Sequence, residues 1–261
     1  MKILLIGDPH GSSKVKKIPF EGVDLILIPG DLGKADLMRK YAFLHGGKPK
    51  SWIHYESPKL VQEAYQEAHS SSVDLLKFLS EKAPVYFIYG NVEESDSDIR
   101  KLSRELRVKL PLFGESLKSM RNVYPINNKK VEVQGVNIAG LEYFVETGWV
   151  KRFAPDNKRR MKSAEKQTKV AGRFLQKLPY VDILVCHQPP YGVLDKVTAP
   201  FAPKHWQGKH AGSNLILSYI QRKHPGYVVC GHIHEGKGYK KIAGTKVYNL
   251  GLAGHKIIEI D

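Results

Sequence analysis

This 261-residue chain is short of sulfur, tryptophan and acid: it has two cysteines, four methionines, three tryptophans, and 26 Asp and Glu against 41 Lys and Arg. Two cysteines exclude the disulfide framework of a small secreted protein, and a reducing compartment disfavours a bond between them, leaving a single disulfide as the alternative of a hyperthermophile source. Cys186 and Cys230 each end an apolar run directly, or one residue, before a histidine, so they read as small buried apolar side chains. Long hydrophobic runs are missing as well. The first, Ile3 to Ile6, is interrupted by Asp8 and is far too short for a secretory leader or a membrane span, so a cytoplasmic protein with no membrane partner is expected. The shortage of acid leaves a formal charge of +15, a surface that attracts phosphates or nucleic acid. A lysine-rich thermophile surface gives the same number.

Short runs rich in Ile, Val, Leu and Tyr read as buried strands: 2–7, 24–29, 84–89, 181–186 and 226–230. Between the second and third, Val61, Tyr65, Ala68, Leu75 and Leu79 recur at helical spacing behind Ser57 and Pro58, an N-cap and a first-turn proline. Further helices are expected over 95–106, 161–178 and 213–223, hairpins around Gly135 and Gly244-Thr245, and a closing strand over 256–260. Alternating strands and helices with two hairpins give an α/β protein of two mixed β-sheets packed face to face, helices outside. The whole of 1–261 reads as a single domain, with loop or lid insertions at about 33–57 and 146–162.

Five fragments stand at the ends of those strands: Asp8-Pro9-His10-Gly11, Gly30-Asp31, Gly90-Asn91, Cys186-His187 and Gly231-His232-Ile233-His234. Singly each is common, an isolated histidine being more often a hydrogen-bonded core or surface residue. Together, in this order, they supply carboxylate, imidazole and amide oxygen to one edge. Such mixed ligands suit Mn²⁺, Fe or Zn²⁺ rather than a thiolate or Ca²⁺ site. One shared carboxylate can hold two ions about 3.5–4 Å apart, the spacing used for in-line phosphoryl displacement.

The series Asp-x-His, Gly-Asp, Gly-Asn, His, Gly-His-x-His resembles the calcineurin-like metallophosphoesterase superfamily from Asp8 to His234. His187-Gln188-Pro189-Pro190-Tyr191-Gly192 with Asp195, then Ala211-Gly212-Ser213, Glu235, and Asn249 with Gly251, resemble its Icc-related predicted phosphoesterase branch. The resemblance implies a four-layer α/β/β/α sandwich. It places Asp8, His10 and His234 on a first metal, Asn91, His187 and His232 on a second, and Asp31 on both. It further implies a phosphoester hydrolase working with metal-activated water and two divalent ions, Mn²⁺ foremost, with Fe, Zn²⁺ or Ni²⁺ as alternatives.

Many members of that superfamily carry a histidine directly after the Gly-Asn, which assists as an acid or stabilises charge on the departing oxygen; here the residue is Val92. A valine does neither, so a good leaving group is favoured and a phosphodiester is preferred slightly over a monoester. Of the histidines outside the ligand set, His210 is the candidate to supply the missing acid, because the resembled fold brings the segment before Ser213 back over the metals. His54 is the second candidate. Asn91 and His210 are also the residues expected to touch substrate.

Residues 151–177 hold ten basic side chains against only Asp156 and Glu165. On a helix, Met161, Ala164, Ala171, Phe174 and Leu178 would face the core, and Lys162, Lys166, Lys169, Arg173 and Lys177 would form a stripe of mutually repelling charges. That is either a solvated face or a nucleic-acid contact with Trp149 and Phe153 as stacking platforms. A metal-dependent nuclease is therefore a second reading of function. A third is a protein-interaction scaffold of the same fold, as in retromer-type relatives, although those have damaged ligand sets.

Overall fold

The computed structural model describes residues 1–260 apart from 46, 47, 49 and 201. Its strands are β1 (Lys2–Ile6), β2 (Leu25–Ile28), β3 (Val85–Phe87), β4 (Val123–Pro125), β5 (Lys129–Val133), β6 (Val136–Leu141), β7 (Ile183–Cys186), β8 (Tyr227–Cys230), β9 (Gly238–Ile242), β10 (Thr245–Asn249) and β11 (His255–Glu259). Its α-helices are α1 (Asp36–Leu44), α2 (Pro58–Ser80), α3 (Asp96–Leu106), α4 (Phe113–Leu117), α5 (Thr147–Phe153), α6 (Lys158–Lys177) and α7 (Asn214–Lys223).

One sheet has the order β11-β1-β2-β3-β4, the other β5-β6-β7-β8-β10-β9. β1 to β4 run parallel, with β11 antiparallel on β1 from Lys2 opposite Glu259 to Ile6 opposite His255. β6, β7, β8 and β10 are parallel, and β5 and β9 close the edges as the antiparallel arms of the two expected hairpins.

Side-chain alternation fixes the layers. Successive strand residues point to opposite faces, and every residue of β2 and β7 is buried, so both faces must be covered. Ile3, Leu5, Leu25 and Leu27 meet Ile138, Ile183, Val185 and Val229 between the sheets. Leu4, Ile6, Ile26 and Ile28 pack outward on Leu75, Leu76 and Leu79 of α2. Leu184, Cys186, Val228 and Cys230 do the same against Ala171 and Leu175 of α6 and Ile216, Tyr219 and Ile220 of α7. The result is helix, sheet, sheet, helix, each fully buried Leu or Ile contributing about 1.5–3 kcal/mol over an exposed one. Cys186 and Cys230 are both buried and free.

Helix starts follow the sequence signals. The hydroxyls of Ser57, Ser95 and Ser213 accept the N–H groups of Leu60, Asp98 and Ile216, leaving fewer orphan donors in the first turn. α6 begins ahead of the expected Met161 because the Asn157 side chain caps it by accepting the Arg160 N–H. Its buried face is Ala164, Ala171 and Leu175, with Phe174 only half-buried. Leu175 was not expected there, and α4 and β4 were not expected at all.

Both stretches read as insertions carry helices. In 33–57, of which Gly46, Gly47 and Pro49 lie outside the described residues, α1 is followed by a 3₁₀ turn at Trp52–His54. Met38, Trp52 and Ile53 pack on a satellite cluster of Val61, Tyr65, Ile99, Leu102 and Leu110. In 146–162, α5 buries Val150 and Phe153. No helix among the described residues is long and apolar enough to cross a membrane.

Candidate metal centre

Parallel strands end on the same side, and the carboxyl ends of β1, β2, β3, β7 and β8 each release one ligand fragment there. Reaching the centre forces tight turns: His10, Asp31 and His232 all have left-handed backbone, with φ of 43°, 50° and 62°. For a residue with a side chain that region costs about 1–2 kcal/mol, strain that persists where the surroundings over-determine it. Two glycines let the chains close up. A Cβ on Gly90 would collide with the Asp31 carboxylate, and one on Gly231 with the Asp8 carboxylate.

The side chains then meet as acceptors. Asp31 Oδ2 lies 3.4 Å from His10 Nε2 and 3.6 Å from His187 Nε2, so one oxygen faces both sides of the group. His187 Nε2 is 2.9 Å from Asn91 Oδ1, and His187 Nδ1 donates to the Pro29 carbonyl at 2.9 Å. His10 Nδ1 is turned to the Gly33 carbonyl at 3.3 Å. Backbone carbonyls that hold the outer nitrogen fix the tautomer and leave Nε2 as the ligand atom, the arrangement found behind metal-bound imidazoles. Asp8 Oδ2 takes His234 Nε2 at 3.0 Å and the His232 N–H at 2.5 Å. Its Oδ1 is buried with no partner.

Two groups have ligand atoms all within 4.8 Å of one another: Asp8, His10 and His234, and Asp8, Asp31 and His187. Asp8 is common to both, yet its approach to His187 is 3.9 Å and runs to Nδ1, the nitrogen already committed to Pro29. Asp31 Oδ2, by contrast, lies near the Nε2 atoms of two histidines, His10 and His187. His232 belongs to neither group; its ring packs beside them, on His187 at 4.8 Å and on Tyr143 at 5.4 Å between centroids. An orphaned buried carboxylate oxygen beside the imidazole rings of His10, His187 and His234 suits a divalent cation.

Electrostatics agree. Burial, then the neighbouring Asp8 charge, pushes the Asp31 carboxyl up to about 7. Burial opposes ionisation of Asp8 too, but His187, His234 and His10 together hold it below the ordinary carboxylate range. Burial and the Arg39 guanidinium push His10 down to about 4, and burial and His187 push His232 down to about 3. Both rings are neutral near pH 7, as metal ligation requires.

Three neighbours escaped the sequence reading. Glu93 accepts the N–H groups of Asp31, Leu32 and Gly90 at 3.0, 2.8 and 2.9 Å, tying β2 to β3 behind the ligands. Burial and the Asp31 charge push its carboxyl up to about 7. Arg39 of α1 brings Nη2 to 3.4 Å from His10 Nε2 and 3.5 Å from His234 Nδ1. Tyr143 closes the His187 and His232 side. Only Glu93, two residues beyond Asn91, left any trace in the sequence; nothing in the spacing marks Arg39.

His210 stands apart from the seven. Its Nδ1 is 2.7 Å from Oδ1 of buried Asp195, whose Oδ2 accepts the Gly192 and Gly212 N–H groups, and its ring lies against Tyr191. His54 faces Glu105 at 3.4 Å. Trp149 and Phe153 are not free platforms for bases, which is a correction: they stack on each other at 4.9 Å and against Trp206, and Phe153 is 3% exposed. Arg160 lies over the Trp149 ring. Beside Asn91 opens a cleft of about 570 Å³ lined by Glu94, Asp98, Glu142, Tyr143 and Lys166.

The calcineurin-like phosphoesterase family model matches residues 1–236. A crystal structure at 14% identity covers 98% of this chain and 94% of its own, with a TM-score of 0.65. A dimetal phosphatase from Danio rerio, at 13% identity, covers 97% of this chain and 88% of its own, with a TM-score of 0.51. At such identities these likenesses speak for the fold alone. No curated protein matches the chain at a significant level.

Proposed function

The chain belongs to the calcineurin-like phosphoesterase family of metal-dependent phosphoesterases, and we propose that it hydrolyses phosphodiesters ahead of monoesters at a centre of two divalent ions. Asp8, His10 and His234 would hold one ion, Asn91, His187 and His232 the other, and Asp31 would serve both. The observation that carries this is the single Asp31 oxygen facing His10 at 3.4 Å and His187 at 3.6 Å. When bound, such ions supply Lewis acidity and lower the pKa of water. Mn²⁺ leads by ligand type, followed by Fe, Zn²⁺ and Ni²⁺.

The protein's own residues then do three things. Gly90 and Gly231 admit the carboxylates to close range, and Glu93 locks the Asp31 turn. The cleft beside Asn91 has room for the second alcohol of a diester. His210, though apart from the seven, is the residue we propose as proton donor to the departing oxygen, because buried Asp195 pairs with its Nδ1 and leaves Nε2 free. Four carboxylates in the cleft, those of Glu93, Glu94, Asp98 and Glu142, repel a polyanion, which favours a small diester over nucleic acid.

The test is metal analysis of the purified protein coupled to hydrolysis of matched aryl phosphomonoester and phosphodiester substrates with added Mn²⁺. Two ions per chain and a higher kcat/KM on the diester are expected. Neither metal nor turnover would return the chain to the scaffold reading. His210→Ala should lower diester turnover and flatten its pH profile; an unchanged profile removes His210 from the mechanism.

A further inference from the structure

Arg39 has no counterpart in the ligand pattern, yet it is a cationic side chain in polar contact with two of its imidazoles. Helix α1 puts it there by anchors on either side. Met38 packs into the satellite cluster with Val61 and Tyr65, and the Leu37 N–H bonds to Glu67 at 3.2 Å. Lys34, two residues before the helix, also pairs with Glu67 at 3.0 Å. Arg39 is half-buried, and no carboxylate pairs with its guanidinium among the described residues. Its close polar neighbours are His10 Nε2 and His234 Nδ1.

A half-buried cation with no counter-ion is costly unless an anion joins it. Any cation held by those same imidazoles makes the local field more positive still, so Arg39 calls for a ligand that is itself negative and offers several oxygens. A guanidinium presents a planar fork of donors matched to a phosphoryl group. It also addresses half of what Val92 leaves undone. The departing and equatorial oxygens gain charge as the ester bond breaks, and a fixed positive charge stabilises them with no proton to give, leaving protonation to another group.

Resting on the phosphoesterase reading above, we infer that Arg39 is a catalytic residue whose guanidinium binds the phosphoryl oxygens of the substrate on the His10 and His234 side of the centre. The insertion that carries α1 is therefore part of the active site. The rival account is that Arg39 only stands in for a cation between the two imidazoles and has no dealings with substrate.

The experiment compares wild type with Arg39→Ala, Arg39→Met and Arg39→Lys, each loaded with Mn²⁺, for metal content, melting temperature, calorimetric affinity for inorganic phosphate, and kcat and KM on the aryl diester. Arg39→Ala and Arg39→Met should keep the wild-type metal content, bind phosphate at least about tenfold more weakly, and lose about 10²–10³ in kcat/KM, the usual loss for one donor to a developing oxyanion. Arg39→Lys should regain part of both. Unchanged phosphate affinity and kcat/KM in the Ala and Met variants overturn the inference, as does loss of metal in step with activity, which would make Arg39 an organiser of ligands. Those results leave an active wild type and spare the function. A wild type with no metal, no turnover and no phosphate binding sinks the function and Arg39 with it.

Discussion

Nε2 of His187 stands 2.9 Å from Oδ1 of Asn91, while the other nitrogen of that ring donates to the Pro29 carbonyl. Two acceptors are thus held face to face, with Asp31 Oδ2 a third at 3.6 Å. A cation at that point would take all three atoms as ligands, with His187 and Asp31 buried and Asn91 reaching in from the exposed rim. The expected consequence is that Asn91→Ala yields a folded protein with one ion fewer per chain than wild type. Its residual affinity at that site should fall at least as far as the roughly 10–100-fold that outer-shell changes cost. Elemental analysis after dialysis reads this directly; an unchanged metal content would remove Asn91 from the ligand set.

The Asp31 carboxyl makes the stability of the metal-free protein depend on pH. In the folded, metal-free protein its carboxyl is pushed up to about 7 from an ordinary 3.8. Below pH 4 the group is protonated in both states and costs nothing. As pH rises from 4 to 7 the unfolded chain ionises first, so stability is lost across that window and the loss is complete above 7. Asp31→Asn removes the penalty and retains an oxygen for the Val92 N–H. Metal-free Asp31→Asn should therefore melt above metal-free wild type at pH 8, by an amount equivalent to a few kcal/mol at most. The gap should narrow steadily towards pH 4, while metal binding is lost. A gap that widens on acidification would contradict the assignment.

Gly231 is a test of close approach, independent of any ligand chemistry. A methyl group there would strike the Asp8 carboxylate, which is itself 0% exposed and has nowhere to retreat. Gly231→Ala should cost about 1–3 kcal/mol of stability, as overpacking does, and displace Asp8 enough to weaken metal binding. Gly135→Ala, where an added Cβ meets nothing within 4 Å, is the control for a general effect of losing glycine; its φ of 83° makes it strained for alanine without touching the site. Equal metal affinity in both variants would show that Asp8 needs no such clearance.

What could be read from the sequence follows from the range over which each signal acts. The strands were legible because Ile3 to Ile6 and Leu25 to Ile28 are buried on both faces and so are apolar throughout, and α2 because a serine and a proline marked its start. The ligand fragments were legible because short turns after strands tolerate few residues. Arg39 was not, because its position depends on how α1 rests on Tyr65 and Ile99, contacts 26 and 60 residues further on that no local spacing encodes. The apolar partners of Trp149 were hidden for the same reason: Trp206 reaches it from a separate loop, and the pair Trp149 and Phe153, which looked available, is spent on packing.

The basic face of α6 sets repulsion within the helix against attraction to a polyanion. Lys162, Lys166, Lys169, Arg173 and Lys177 are all exposed, and Arg173 stands four residues from both Lys169 and Lys177. Replacing it by Glu turns two repulsive pairs into attractive ones, each worth a few tenths of a kcal/mol. Arg173→Glu should accordingly raise stability in low salt, and the gain should shrink as added salt screens both kinds of pair. If the stripe instead serves a nucleic acid, the wild type binds single-stranded DNA in low salt, affinity falls steeply as salt rises, and Arg173→Glu weakens it and reduces the slope. The acidic cleft and the buried Phe153 favour the first outcome. Denaturant melts and a DNA titration at two salt concentrations decide it, and a salt-sensitive DNA affinity abolished by this one substitution would restore the nuclease reading.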